Sequence, residues 1–114
     1  MAQAKFFYVY ILSSLSGTLY VGLTDNLPLR IQQHRAGTYD GFTKTHGISR
    51  LMYFETLQDP KAAALREIQI KKFRREKKVA LFASTNPEWK DLSKDLYGIR
   101  RVPSLRSGYL GKQS

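Results

Sequence analysis

The sequence predicts an α+β fold, with a small three-stranded, mainly antiparallel sheet flanked by helices in the order β-β-α-β-α-α. Two observations support this prediction. The N-terminal part of the chain holds two aromatic and β-branched runs separated by a short polar turn, which is typical of an antiparallel hairpin. The later chain holds runs of good helix formers that follow strong helix-start signals.

The hairpin comes first in the chain. Residues 6–12 are nearly all apolar, as expected of a strand buried on both faces. Residues 13–17 have the composition of a turn, and residues 18–24 form the second strand. The pairing register is left open: if residue 12 faces residue 18, then Tyr10 faces Tyr20 on one side of the sheet, whereas a one-residue slip separates the two tyrosines.

A helix is expected next, because Asp25 or Asn26 can cap it, Pro28 suits its first turn and Gly37 suits its end. One stripe of this helix contains Leu27, Ile31 and His34, with Arg30 beside it. The glycine- and threonine-rich residues 37–49 are predicted to form a surface loop.

A third strand is expected over residues 51–56, followed by a helix that begins at Asp59-Pro60. Helix formers then continue without a breaker past Lys78, and a short helix or turn follows through Phe82. Residues 86–89 (NPEW) predict the start of a last short helix that ends near residue 97.

These elements predict one folded domain over residues 1–97. Residues 98–114 are basic and without periodicity, and we expect them to form a largely disordered tail.

The charge of the chain indicates a polyanionic partner. Its 114 residues include 19 Lys and Arg against nine Asp and Glu, a formal net charge of +10, and nucleic acid is the leading candidate. The chain has no cysteine, which excludes disulfides and thiolate metal sites and favours a cytoplasmic setting. Its apolar runs are too short to span a bilayer, so we expect no membrane partner.

For each of three side chains, the sequence is compatible with a structural role and with a chemical role. Glu67 either forms an ordinary i,i+4 ion pair with Lys71 or lies at the edge of the buried helix stripe. Arg30 either packs its stem along a core edge or holds a phosphate with its guanidinium. His34 is either a hydrogen-bonded structural histidine or part of a cleft. Glycine within a strand often marks close approach by a ligand or by another backbone. If phosphate enters a cleft lined by the tyrosine hydroxyls, we expect Gly22 to leave room for its backbone.

A pair of short motifs connects these positions. Tyr8-Val9-Tyr10 is followed after nine residues by Tyr20-Val21-Gly22, then by Arg30 and by a helical Glu67. This pattern resembles the GIY-YIG nuclease superfamily, and in particular its short single-domain bacterial branch, over residues 5–97. The resemblance implies that residues 1–97 form a nuclease domain of this type.

The resemblance implies a role for each matched residue. Arg30 would stabilise the phosphate, Glu67 would bind the metal ion, and Asn86 would be an accessory active-site residue. Tyr10 or Tyr20 would be the general base toward water. An unperturbed phenol has a pKa of about 10, so this tyrosine needs positive charge nearby.

Two positions depart from the family pattern. Tyr8 stands where the first triplet begins with glycine. Some members carry a lysine after the second triplet, where this chain has Leu23. If that lysine helps to activate a tyrosine, His34 or Lys44 would have to replace it. His34 itself matches a histidine that often follows the family arginine by one helical turn.

The implied cofactor is a single Mg²⁺ or Mn²⁺ held by Glu67. Mg²⁺ keeps several waters and takes its remaining ligands from one or two carboxylates and from substrate phosphate, so a lone glutamate is enough. The implied activity is metal-dependent hydrolysis of DNA phosphodiester bonds, with a role in DNA repair and with branched or damaged DNA as a possible preference.

Basic side chains would bind the flanking phosphates. Lys44, Lys71 and Arg74 are the candidate nucleic-acid-binding residues. Whether a partner protein delivers the nuclease to its target is left open. The alternative function is a basic nucleic-acid-binding module with little or no cleavage activity.

Overall fold

The computed structural model describes residues 5–39, 41–94 and 96, and it confirms the predicted fold class and the order of strands and helices. The strands are β1 (Phe7–Ser13), β2 (Leu19–Thr24) and β3 (Arg50–Leu57). The helices are α1 (Leu27–Ala36), α2 (Gly41–Thr45), α3 (Pro60–Lys71) and α4 (Arg75–Ala83). The sheet is antiparallel in the order β2-β1-β3, so β1 is central and β2 is an edge strand.

The hairpin turn determines which residues of β1 and β2 face each other. Gly17 has a positive φ of 97°, and the Thr18 N–H donates to the Ser14 side chain across 3.0 Å. Leu12 pairs with Tyr20, so the register differs from both alternatives that the sequence left open. It differs from the first by two residues, and an even shift keeps Tyr10 and Tyr20 on the same face of the sheet.

The core has two layers, one on each face of the sheet. On one face, residues of α1 pack against Tyr10 and Leu12 of β1. On the other face, residues of α3 and α4 pack against the alternate strand residues Val9, Ile11 and Val21. The candidate residues of α1 and those of α3 therefore approach the sheet from opposite sides.

The start and end of α1 follow from its caps. The Asn26 side chain accepts a hydrogen bond from the Leu29 N–H across 3.2 Å, so Asn26 and not Asp25 is the cap. Gly37 ends the helix in the left-handed conformation, with φ 78°. These contacts confirm both predicted ends of the helix.

The prediction of an unbroken helix from residue 60 past residue 78 is wrong. α3 ends at Lys71, and Arg74 has an extended backbone before α4 begins. A straight helix over residues 60–82 would be about 35 Å long, whereas a strand of eight residues spans about 27 Å. The break lets Phe73, Val79 and Phe82 all pack on the same apolar cluster.

Two further predictions need correction. Residues 37–49 are not all loop, because α2 forms there and buries Thr43. The last helix does not start at Asn86: residues 86–89 form a turn in which Trp89 has φ 57°, and helical residues appear only from Ser93. The Asn86 side chain closes that turn instead of capping a helix.

The predicted tail at residues 98–114 and the predicted helix end at residue 97 lie outside the described residues. Within the part of the chain that the structure describes, no helix has the length and apolar character needed to cross a bilayer.

Candidate active site

Tyr10 lies within a cluster of side chains under α1, which we call the tyrosine cluster. Its other members are Tyr20, Arg30, His34, Tyr39 and Thr43. The Tyr10 side chain is completely buried, and its hydroxyl is 2.8 Å from Nε2 of His34. Burial raises the pKa of Tyr10 well above its ordinary value, the neighbouring Tyr20 adds to this, and the Arg30 guanidinium opposes it only in part. Tyr10 therefore keeps its proton at neutral pH and is poorly suited to act as a base.

Tyr20 approaches the same cluster from the edge strand. Its ring packs edge-to-face on His34, with 5.0 Å between the ring centroids. Unlike Tyr10, it is only partly buried. Tyr20 is therefore the tyrosine of the pair that water can reach.

His34 links the helices to the sheet. The imidazole is completely buried, with Nε2 at the Tyr10 hydroxyl and Nδ1 2.9 Å from Oγ1 of Thr43 on α2. Both ring nitrogens are thus hydrogen-bonded to other side chains of the protein. The ring of Tyr39 also packs edge-to-face on the imidazole, at 5.1 Å.

Arg30 is held by three kinds of contact. Its guanidinium lies 3.8 Å above the ring of Tyr39, a cation–π arrangement. Its Nε donates to the Gln33 side chain across 3.1 Å, and one terminal nitrogen lies 3.5 Å from the carbonyl of Leu23 on β2. These contacts hold the guanidinium beside the edge strand.

Gly22 makes room for Tyr10 and not for a ligand. The two residues pair across β1 and β2, and a Cβ at position 22 would overlap the ring and hydroxyl of Tyr10. The expectation that this glycine admits a phosphate backbone is therefore wrong. The space that its missing side chain leaves is filled by the phenol of the neighbouring strand.

Glu67 lies on α3 and has an ion-pair partner on the same helix. It belongs to α3, which packs on the other face of the sheet, and its carboxylate pairs with Lys71 at 3.1 Å. This is the ion pair that the sequence offered as the structural alternative. The Glu67 side chain is 21% exposed, so the carboxylate remains accessible.

The donor set suits only a metal ion that needs few protein ligands. Among the described residues, no group of three or more His, Cys, Asp or Glu side chains is placed to hold a metal ion. A lone accessible carboxylate such as Glu67 matches the binding mode of Mg²⁺, which retains waters and uses substrate phosphate. The residues present therefore fit such an ion and do not form a cage for one.

Asn86 is occupied within the fold. It is buried, its amide nitrogen donates to the Lys90 carbonyl across 2.8 Å, and its oxygen accepts from the Lys90 N–H across 2.9 Å. The structure does not bring it into contact with Tyr10, Tyr20 or Arg30 through any of these bonds. Its part in an active site stays a prediction.

The three candidate phosphate-binding residues lie on different elements. Lys44 is exposed on α2, and its aliphatic stem runs past Gly37. Lys71 pairs with Glu67 on α3, and Arg74 is exposed between α3 and α4. Lys44 thus lies on the element that bonds to His34, whereas Lys71 lies beside Glu67 and Arg74 lies beyond the end of α3.

Two residues of the cluster, Tyr39 and Thr43, were missed at the sequence level. Both lie in the segment predicted to be a loop, where turn residues hide any helical spacing. An aromatic residue within a glycine-rich loop close after Arg30 and His34 was the one available signal for Tyr39. The sequence held no signal that Thr43 is completely buried.

A groove of about 650 Å³ runs beside the cluster without including it. It is lined by the first turn of α1 together with Tyr8, Phe54 and Thr56. None of the candidate catalytic residues lines this groove. This groove is therefore a separate surface from the candidate catalytic residues.

A family model described as the GIY-YIG catalytic domain matches residues 6–80. The chain belongs to the GIY-YIG family. The matched range includes both tyrosine triplets, Arg30, His34 and Glu67, and it ends before Asn86. Membership identifies the chain as part of a nuclease superfamily.

GIY-YIG relatives of similar size cover most of the chain. A UPF0213 protein of Clostridium perfringens is 36% identical over 89 residues, which are 78% of this chain and 96% of that protein. A UPF0213 protein of Syntrophus aciditrophicus is 39% identical over 82 residues, 71% of this chain and 93% of the relative. The chain is therefore similar to a short single-domain GIY-YIG group.

The solution NMR structure of a UPF0213 protein from Bacillus halodurans is also similar. It is 28% identical, covers 78% of this chain and 95% of its own, and superimposes with a TM-score of 0.49.

Proposed function

We propose that this chain is an endonuclease that hydrolyses DNA phosphodiester bonds, with Arg30 on the phosphate and Tyr20 as the general base. The observation that supports this most is the meeting of Tyr10, Tyr20 and Tyr39 at His34, with Arg30 stacked on the ring of Tyr39. Membership of a nuclease superfamily supports the same reaction class.

Arg30 would act on the charge of the phosphate. As the attacking oxygen approaches, negative charge grows on the non-bridging oxygens, and a fixed guanidinium stabilises that charge through paired N–H donors. An aimed donor of this kind commonly lowers a barrier by about 3 kcal/mol. The stacking of Arg30 on Tyr39 supports this role, because a guanidinium that is already oriented loses less freedom on binding.

Tyr20 would take the proton from the attacking water. The water oxygen then bonds to phosphorus, and the bond from phosphorus to the departing alkoxide breaks. Tyr20 is favoured over Tyr10 because it is only partly buried, whereas the buried Tyr10 has a raised pKa. Positive charge near Tyr20 would help its phenol to ionise, and we propose that Arg30 supplies it.

Glu67 would hold Mg²⁺ or Mn²⁺. When bound, the ion supplies neutralisation of the charge that builds on the phosphate and on the departing oxygen. Binding would replace the contact between Glu67 and Lys71, and the released ammonium of Lys71 would then be available to a flanking phosphate.

A specific observation favours the alternative function, a basic nucleic-acid-binding module with little or no cleavage. Glu67 is already paired with Lys71, and α3 packs on the face opposite the tyrosine cluster. If this pair persists in the presence of metal ions, the protein would bind DNA without cutting it.

Cleavage assays separate the two functions. Supercoiled and branched DNA are incubated with the protein and Mg²⁺ or Mn²⁺, with and without EDTA. We expect nicking only with metal, and we expect Glu67→Ala to abolish it while DNA affinity stays within a few-fold. Glu76→Ala is the matched control, because Glu76 is exposed on α4 and should cleave like the wild type.

One outcome would contradict the nuclease assignment, and another would contradict the metal-binding role of Glu67. Binding without nicking by the wild type at any metal concentration would favour the binding module. A large loss of both cleavage and affinity in Glu67→Ala would mean that Glu67 is structural instead.

A further inference from the structure

An exposed pair of aromatic rings lies at α2. The ring centroids of Phe42 and His46 are 4.1 Å apart, with 32° between the ring planes. Phe42 is 49% exposed, and His46 is exposed as well. The pair therefore presents aromatic surface to solvent.

Hydrogen bonds hold the two rings in this arrangement. The carbonyl oxygen of Phe42 accepts from the backbone N–H of His46 across 3.0 Å and lies 2.9 Å from Nδ1 of the same residue. Because a carbonyl oxygen can only accept, Nδ1 carries a proton and donates it. The imidazole is thus fixed beside the phenyl ring, and a group that stacks on the pair orders few side chains when it binds.

The ring pair is connected to the tyrosine cluster. Thr43, the neighbour of Phe42 in the chain, is buried, and its Oγ1 is 2.9 Å from Nδ1 of His34. Tyr39, whose ring carries the Arg30 guanidinium at 3.8 Å, is also 49% exposed. The ring pair and Tyr39 therefore bring exposed aromatic surface to the part of the molecule that holds Arg30.

The charge of this segment suits a polyanion. Residues 41–50 include Lys44 and Arg50 and contain no Asp or Glu. Lys44 is exposed on α2, and its aliphatic stem packs on Gly37 at the end of α1. Proteins that bind single strands combine basic side chains, which contact phosphates, with aromatic rings, on which bases stack. Rings and cations side by side thus match the two parts of a nucleotide, its base and its phosphate.

We propose that the Phe42 ring, held beside His46, is a stacking site for one unpaired base of the bound DNA, next to the phosphate on Arg30. Inside a duplex both faces of a base are covered by its neighbours, so only an unpaired or terminal base can stack on this ring. Stacking uses the π face that every base has, so the site tolerates all four bases. The position beside Arg30 rests on the proposed function, whereas stacking requires only that the protein bind DNA.

Binding to two oligomers of equal charge tests the site. One is a single-stranded thymine oligonucleotide, and the other is an abasic oligomer with the same number of phosphates. Fluorescence anisotropy measures both affinities in EDTA, so that no strand is cut. We expect Phe42→Ala to weaken binding of the thymine oligomer about 5- to 100-fold, the usual effect of losing one stacked base, and to change binding of the abasic oligomer less than about twofold.

Further variants separate stacking from packing. Leucine is apolar but has no π face, so Phe42→Leu should weaken binding of the thymine oligomer as Phe42→Ala does. Phe42→Tyr keeps an aromatic ring and should bind like the wild type. Leu65→Ala is the matched control, because Leu65 is 62% exposed on α3 and its truncation should change neither affinity.

Two results would overturn the proposal. Equal losses for the two oligomers in Phe42→Ala and Phe42→Leu would mean that Phe42 only supports α2. Unchanged affinity for the thymine oligomer in both variants would exclude the ring as a stacking site.

These outcomes are independent of cleavage. A protein that shows the base-dependent loss but cuts no DNA with metal would refute the nuclease assignment and keep the stacking site. A nuclease whose Phe42→Ala variant shows no base-dependent loss would refute the stacking site alone.

Discussion

At the scale of single residues, burial separates two tyrosines that the motif treats alike. Tyr10 and Tyr20 lie on one face of the hairpin, but Tyr10 is enclosed beneath α1 and Tyr20 lies on the edge strand. That they share a site with Arg30 and His34 was what the family resemblance implied. Their different exposure could not, because it depends on the strand register and on the packing of α1.

The contact of Gly22 with Tyr10 also depends on the strand register, so the motif alone could not predict it. This contact leads to a stability prediction. Because a Cβ at position 22 would overlap the Tyr10 ring, we expect Gly22→Ala to lower the free energy of unfolding by about 1–3 kcal/mol. Urea unfolding measures this. Gly41→Ala is the control, since a Cβ there meets no atom within 4 Å, and it should change stability little. Equal stability of the two variants would mean that Tyr10 moves aside freely.

At the scale of elements, helix starts were predictable and helix breaks were not. Asp59 caps α3 as expected, with its carboxylate accepting from the Ala62 N–H across 3.0 Å, because capping is a local interaction. The break after Lys71 depends on the shared apolar cluster beneath α3 and α4, which is a tertiary interaction. Tertiary packing also determines which face of the sheet α3 and its Glu67 approach, so local sequence could not predict that face.

A network of charged and hydroxyl groups joins β3 to α3. Arg66 donates two hydrogen bonds to the Glu55 carboxylate, at 2.8 and 2.7 Å, and the Tyr53 hydroxyl donates to the same carboxylate. These bonds from Arg66 hold the pKa of Glu55 below its ordinary value despite partial burial. Burial and Glu55 raise the pKa of Tyr53 to about 12, so its hydroxyl remains a donor at neutral pH.

This network predicts a pH-dependent contribution to stability. Because the pKa of Glu55 is lower in the folded chain, its contribution is present above the unfolded value of 4.5 and is lost as the pH falls through the folded value. We expect Glu55→Gln to lose about 1 kcal/mol at neutral pH, and this difference from the wild type to shrink below pH 4.5. Urea unfolding as a function of pH measures both.

The control for this network is Glu88→Gln. Glu88 forms an ion pair with Lys90 in which both side chains are 74% exposed, so its removal should have little effect at any pH. A loss in Glu55→Gln that stays constant from neutral to acid pH would contradict the role of Glu55 ionisation.

At the scale of the whole molecule, net charge predicted the class of partner. A formal charge of +10 favours a polyanion, and the family match identifies a nuclease superfamily. We expect DNA affinity to fall at least tenfold between about 50 and about 200 mM salt, because released counterions oppose binding. Fluorescence anisotropy with a labelled duplex measures this.

Single substitutions identify which charges contribute to that salt dependence. With Mg²⁺ present, where an ion on Glu67 would release Lys71 from its ion pair, Lys71→Gln and Arg74→Gln should each reduce the slope of log affinity against log salt by about 1. Lys5→Gln is the control, because Lys5 already pairs with Asp25 at 3.2 Å. An affinity that does not change with salt would exclude phosphate contacts as the main source of binding.

The most direct test of the catalytic assignment compares Tyr20→Phe with Tyr10→Phe in single-turnover cleavage of DNA. Each change removes one hydroxyl and leaves the aromatic ring. The assignment predicts that Tyr20→Phe slows cleavage by at least about 100-fold while DNA affinity stays within a few-fold, and that Tyr10→Phe slows it less. Cleavage by Tyr20→Phe at the wild-type rate would contradict the assignment.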